Sequence, residues 1–389
     1  MRHLPGWFAV DVGSAALPSV LLQARGAVAG QDQDATVASH YGDPLREQRQ
    51  LAEFAAFVDR SHREILTVSG LDRLSWLNDL TTQELKTLAD GQVTETLVLS
   101  VTGHIEHHAQ VTELGATVWL DVEPGAAAGL LDFLNSMRFM LRVEAVEVTS
   151  DWALLTLAGP QAPTVLAALG IQPPEAGTAR PLTDGGWVRA IPHPKAPSYD
   201  LLVARAAVTD WAERLNGAGA SPAGLGAYEA LRVQSRRPRQ GFETDHKTIP
   251  NELSWLGTAV HLTKGCYRGQ ETVARVHNLG RPPRRVALAH LDGVDELLPE
   301  RRTEVTWDGR KVGSLTSAAW HYELGPIALL SIKRSVPDDA ELLIGSTMAR
   351  IEPDPDAPSE DVVPAGRAAR DRLTGRDGSS RDGSATIRA

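Results

Sequence analysis

Past Pro282-Pro283 the chain changes its period. RRVALAHL, TEVTWDGRKVGSLTSAAW and GPIALLSI are short alternating runs separated by Gly and Asp-Gly. Alternation puts every second side chain on one face, which is the pattern of a half-buried strand. Asp308-Gly309 is a hairpin signal. Residues 283–351 therefore predict a small all-β module, a barrel. Before the prolines the periods are mixed. PLREQRQLAEFAAFV predicts a helix with Pro44 in its first turn and Leu45, Leu51, Ala52, Phe54 and Ala55 within a broad apolar face. EILTVSG reads as a strand closing on Gly70. LDRLSWLNDL reads as a helix, with Leu71, Leu74, Leu77 and Leu80 at helical spacing. TETLVLSV and AQVTELGATVWLDV read as strands, the latter folding back at Glu113-Leu114-Gly115. GAAAGLLDFLNSMRFM is a second helix, and VEAVEVTSDWALLTLAG returns to strands. GPQAPTVLAALG, YDLLVAR and AVTDWAERLNGAG continue the alternation as helix, strand and helix.

This order predicts an α+β protein with antiparallel pairing. It has two related sheet-and-helix domains, 44–157 and 158–282, and the C-terminal β-barrel. Residues 1–43 read as an irregular leader. Residues 352–389, poor in bulky apolar side chains and rich in Pro, Gly and Ser, read as a disordered tail. A chain of 389 residues exceeds one ordinary core. Its formal charge of −10 argues against sequence-independent nucleic-acid binding, which needs many cations to displace counterions. No run approaches a membrane span of about 20 apolar residues. Asp11 and nearby prolines interrupt any signal core, so the expected location is the cytoplasm.

A single cysteine excludes an internal disulfide and any site built from several cysteines of one chain. It lies in KGCYRGQETVAR. QETVARVHNLG predicts a helix stopped at Gly280 with Pro282 beyond, and TAVHLT before Lys264 alternates like a strand. Cys266 would then sit in a strand-to-helix turn. Helix amides, Lys264 and Arg268 would favour thiolate and bring its pKa below the ~8.5 of a free cysteine. The competing reading is a small buried filler, with Gln270 and Glu271 merely capping the helix.

KGCYRGQE resembles the K-G-C-Y-x-G-Q-E signature of the YgfZ family, and Ala274-Arg275 extends the match. These are folate-binding, iron–sulfur-linked relatives of the glycine-cleavage aminomethyltransferase. VSGLDRLSWLNDLTTQEL is similar to the N-terminal G-x-D-x-x-x-F-L-x-x-L-x-T segment of the wider superfamily, with Trp76 for the phenylalanine. Gly159-Pro160-Gln161-Ala162 resembles its GPxA strand end, and GSLTSAAWHYELGPIALLSI its barrel motif. The resemblance implies the aminomethyltransferase folate-binding fold and tetrahydrofolate as cofactor. It implies a non-catalytic accessory protein that supports assembly or repair of iron–sulfur clusters in client enzymes, including those that modify tRNA. Cys266 would be the functional thiol, tuned by Lys264 and Arg268. Tyr267, Gln270, Glu271 and Arg275 would shape the loop, and His107, His108, Glu229 and Gln234 would line the folate pocket.

Two departures stand out. SVTGHIEHHAQV aligns with the loop that presents a catalytic aspartate pair in the aminomethyltransferases, and here the pair becomes His107-His108. A neutral imidazole stabilises a cationic amine poorly, so the parent reaction is disfavoured. In LRVQSRRPRQG, Gln234 stands where the superfamily has the glutamate of L-R-L-E-A-G. An amide accepts on one side only, whereas a carboxylate accepts two bonds from an aminopyrimidine. His104, Glu106 and His108 would share one strand face, but no further ligand is evident and no metal is assigned. Arg236, Arg237 and Arg239 could hold a folate tail or RNA phosphate, with a solvated turn as the default. Two rivals remain: a folate-dependent aminomethyltransferase or demethylase using His107 or His108, and a tRNA-binding module using the arginines.

Overall fold

A computed structural model describes residues 17–191, 196–294 and 297–355. The first sheet has five antiparallel strands in the order Val93–Leu99, Ile105–Leu114, Thr117–Val122, Glu64–Ser69, Glu144–Glu147. One face carries Leu66, Val68, Val111, Val118 and Leu120 against the helices Arg73–Leu80 and Ala127–Ser136, which contribute Trp76, Leu77, Leu130 and Leu134. The hairpin expected at Glu113-Leu114-Gly115 turns one residue later. Gly115 and Ala116 both have positive φ, 63° and 59°, as a two-residue hairpin requires.

The second sheet has the order Ala179–Pro181, Trp187–Ile191, Ser198–Ala204, Trp152–Ala158, Ala56–Asp59, Ser221–Ala223. Only its last pairing is parallel. One face buries Leu155, Leu157, Leu201 and Val203 against helices Ala162–Ala168 and Val208–Gly217. The helix read through PLREQRQLAEFAAFV therefore needs correcting. It ends at Glu53, and the four following buried residues Ala56–Asp59 form a strand beside Trp152–Ala158. Sheet pairing and burial outweigh local propensity there. Because strands from before residue 157 build the second sheet, the chain does not divide between the sheets at 157/158.

The remaining faces of the two sheets meet. Ile65, Leu154, Trp187 and Leu202 supply hydrocarbon, but the seam is also ionic. Arg189 in WVRAI bridges Asp121 at 2.5 Å and Asp200 at 2.7 Å, all three about 1% exposed. Arg63 donates to Asp121 at 2.8 Å. Charges this deep persist only when paired and hydrogen-bonded.

The C-terminal module is a closed six-stranded barrel, as its alternation predicted. The Asp308-Gly309 turn has φ of 48° and 70° between the paired residues Trp307 and Arg310. Helix Leu225–Gln234 is wedged between barrel and sheet. Leu225, Ala227 and Leu231 pack with Val37, Leu51 and Val58, while Ala230 and Val233 pack with Leu288, Ala319 and Leu329 of the barrel. The described part of the expected leader is integrated too, with Val28–Ala29 pairing with Ala38–His40. Residues 356–389 of the expected tail lie outside the described residues. No helix among the described residues is long and apolar enough to cross a membrane.

Candidate functional site

Between the two sheets and helix Leu225–Gln234 lies a cavity of about 770 Å³, within the ~300–1,000 Å³ common for small-molecule sites. Its floor is the strand pair Val93–Leu99 and Ile105–Leu114, which presents Glu95, His108 and Gln110. Its wall is the wedged helix with Tyr228, Glu229 and Arg232, and its rim is the segment after that helix.

The floor holds a histidine–carboxylate pair. His108 Nε2 lies 2.9 Å from Glu95 Oε2, the oxygen that also accepts from Gln110 Nε2 at 2.7 Å. The His108 ring stacks on Trp255, centroids 4.1 Å apart and planes 13° off parallel. Burial alone would raise Glu95, but the hydrogen bond and charge of His108 overcome it and hold the carboxyl at about 2.

The wall is tied by Arg239, which is 4% exposed. It donates to Glu123 at 2.7 Å and to both oxygens of Asp34 at 2.9 and 2.6 Å, and it reaches Glu229 at 3.5 Å. Burial opposes ionisation of Glu123, but Arg239 and Arg63 overcome it and keep that carboxyl well below the usual carboxylate range. Asp34, mainly through burial, is raised. Arg232 bonds Glu229 at 3.0 Å, Glu243 at 3.0 Å and the barrel residue Ser317 at 2.7 Å.

The residues singled out in the sequence separate into three places. His108 and Glu229 line the cavity. His107 does not, because consecutive strand residues face opposite ways. It sits with Leu77, Leu130 and Leu134 under helix Ala127–Ser136, where burial and then Arg268 lower it to about 4. Gln234, the last residue of the wedged helix, does not line the cavity, and neither does any residue of KGCYRGQE.

That loop forms a separate feature. No strand precedes it, because Trp255–Thr258 is a short helix followed by turns. Cys266 is exposed. The two cations expected to tune it have structural partners instead. Lys264, 7% exposed, donates to the carbonyls of Asn78, Thr81 and Gln83 at 2.6, 2.9 and 2.6 Å. Its pKa is lowered by burial to about 8. Arg268 pairs with Glu106 at 2.8 Å. Buried Tyr267 lies 5.6 Å from the Lys264 ammonium, and burial pushes its phenol up to about 12. Gly269 takes φ 81° against the Ser100–Gly103 turn. Gln270 opens helix Gln270–Leu279, on which Glu271 and Arg275 are exposed.

His104, Glu106 and His108 do not gather into one ligand set. Glu106 serves Arg268, His108 serves Glu95, and among the described residues no group of three such side chains could hold an ion. The arginine cluster is not one solvated turn. Arg236 binds Glu352, Arg237 lines the cavity and Arg239 is buried. The sequence reading missed Glu95, Glu123, Arg63 and Trp255. Charged residues inside otherwise apolar strands, Asp121 in VWLDV and Arg189 in WVRAI, were the available signal.

Residues 20–180 match the family model described as the GCVT N-terminal domain. The crystal structure of the glycine cleavage system aminomethyltransferase T from Bartonella henselae superposes with a TM-score of 0.75. The superposition covers 85% of this chain and 93% of that one, at 20% identity. The chain has the T-protein fold. An aminomethyltransferase of Symbiobacterium thermophilum is 26% identical over 298 residues, 72% of this chain and 78% of that protein. A chloroplastic Arabidopsis thaliana protein, At1g60990, provisionally named a transferase, is 28% identical over 295 residues. That alignment spans 69% of this chain and 64% of the Arabidopsis protein. The T-protein match starts at residue 20, inside the segment read as a leader. This agrees with Asp34 reaching the cavity wall through Arg239.

Proposed function

We propose that the cavity binds a reduced folate and that the protein is an accessory factor for iron–sulfur cluster enzymes, with Cys266 acting on a separate surface. The observation that carries the folate half is the cavity itself. It has folate size, lies between the sheets of a T-protein fold, and has polar capacity to spare. Glu229 commits Oε2 to Arg232 and Arg239, leaving Oε1 to accept from an aminopyrimidine edge. Tyr228 offers an aromatic wall. Bound folate would supply one-carbon carrying capacity. The iron–sulfur half is supported by the KGCYRGQE resemblance and by an exposed thiol on a loop held from beneath by Lys264, a fitting place for a transient bond to a soft metal or sulfur.

The aminomethyltransferase reading has support in the relatives named so. A turnover assay with an aminomethyl or methylamine donor separates the two: binding without turnover is expected. In calorimetric titration, tetrahydrofolate should saturate the wild-type protein. Glu229→Gln should weaken it roughly tenfold or more, the loss of a hydrogen bond to a charged group. Cys266→Ala should bind as wild type yet fail to restore cluster-dependent enzymes in cells lacking the protein. No saturable binding would remove the folate half, and full restoration by Cys266→Ala would remove the thiol half.

A further inference from the structure

His108 has one nitrogen whose role the fold does not use. Glu95 is ionised, so its Oε2 can only accept. The bond at 2.9 Å therefore places a proton on Nε2 of His108. In its neutral form, with hydrogen on Nε2, the ring carries a lone pair on Nδ1, whereas the doubly protonated form that lends its charge to Glu95 carries none. Among the described residues Nδ1 has no hydrogen-bond partner, and the residue lines the cavity. The ring cannot turn away from this geometry at low cost. Trp255 is stacked on one face. The His108 backbone amide is bound by Gln240 Oε1 at 2.8 Å, and Gln240 in turn donates to the Glu106 carbonyl at 2.7 Å. Gln110 holds Glu95 from the adjacent site on the same strand. A side chain locked this thoroughly, with its remaining acceptor unspent, is organised to meet a donor.

We infer that His108 Nδ1 accepts a hydrogen bond from a ring or exocyclic N–H of the cavity ligand and so selects heteroaromatic ligands that present a donor edge. The inference rests on the folate reading and refines it. A reduced pterin offers ring and exocyclic N–H groups, whereas a ligand presenting only acceptors meets the lone pair and is rejected. Glu95 is the positioning residue. By accepting from Nε2 it fixes the tautomer, and Trp255 fixes the plane.

The test uses the full chain and tetrahydrofolate. With 15N-labelled histidine, His108 Nδ1 should resonate as an unprotonated, pyridine-type nitrogen. It should move upfield when tetrahydrofolate saturates the protein. His108→Phe keeps an aromatic ring on Trp255 but removes the acceptor, and affinity should fall about tenfold or more. Glu95→Gln can donate its amide to Nε2, which moves the ring proton to Nδ1 and turns the acceptor into a donor. A similar loss is expected although the imidazole remains. Wild-type binding with both variants within about twofold of it overturns the inference and leaves the folate reading standing. So does an Nδ1 resonance that is protonated at the start or unmoved at saturation, a readout that does not depend on either variant folding. Absence of wild-type binding overturns the folate reading and this inference together.

Discussion

Arg239→Ala should unfold at far lower denaturant than wild type, with a loss of about 3–5 kcal/mol at pH 8, the usual consequence of removing one partner from a buried charge cluster. The substitution leaves Glu123 with Arg63 alone and strips Asp34 of its guanidinium. The pH dependence carries a sign. In the wild type, Glu123 is held below its unfolded range, so its contribution is fully present above that range and is lost progressively as pH falls below it towards the depressed folded value. In the variant only Arg63 is left to depress Glu123, so burial weighs more at both carboxyls and raises them relative to the wild type. Protonating them in acid then relieves the cluster. The penalty should therefore be smaller at pH 5 than at pH 8, measured as paired urea titrations. A loss below about 1 kcal/mol at pH 8, the range of an exposed pair, or a penalty that grows in acid, would mean that Arg239 does not hold the wall.

Gly269→Ala should detach the cysteine loop. The residue has φ 81°, and a Cβ there would stand 2.5 Å from the Ser100 carbonyl oxygen and 2.9 Å from Gly103 Cα. Both are backbone atoms, so no side chain can step aside. Left-handed strain and displacement of the Ser100–Gly103 turn should together cost roughly 2–4 kcal/mol. Hydrogen exchange should rise across 264–280 and in the 100–104 turn, while the barrel is unchanged. The second glycine of KGCYRGQE is thus explained by a backbone contact. Gly265, by contrast, has open space around its Cβ position. Unaltered exchange in both segments would show that the contact is dispensable.

The barrel, the first sheet and most helices were legible because their periods are local. An alternating run with Asp308-Gly309 at its bend carries its own register, and RLSWLNDL carries its own apolar stripe, although Leu71, read as its first member, precedes the helix and is exposed. AFVD and TAVHLT were misread because a short apolar run fits helix or strand equally well, and the partner that decides lies far along the chain. Ala56 pairs with Ala158. The site was legible only in part for the same reason. His108 and Glu229 could be named from resemblance, but Glu95, Trp255 and Asp34 acquire a role only once the fold closes. Arg239 and Asp34 are 205 residues apart in sequence. The adjacent histidines were treated as one pair, although strand geometry sends one to the cavity and the other into hydrocarbon. The lysine and arginine flanking Cys266 read as tuning charges because sequence adjacency does not show that carbonyls and Glu106 claim them.

A crystal structure of the protein grown with saturating tetrahydrofolate tests the central claim most directly. The account predicts pterin density between the Leu225–Gln234 helix and the floor strands, with a ring or exocyclic nitrogen within hydrogen-bond distance of His108 Nδ1. Density against the Cys266 loop, with the space between the sheets left to solvent, would contradict it.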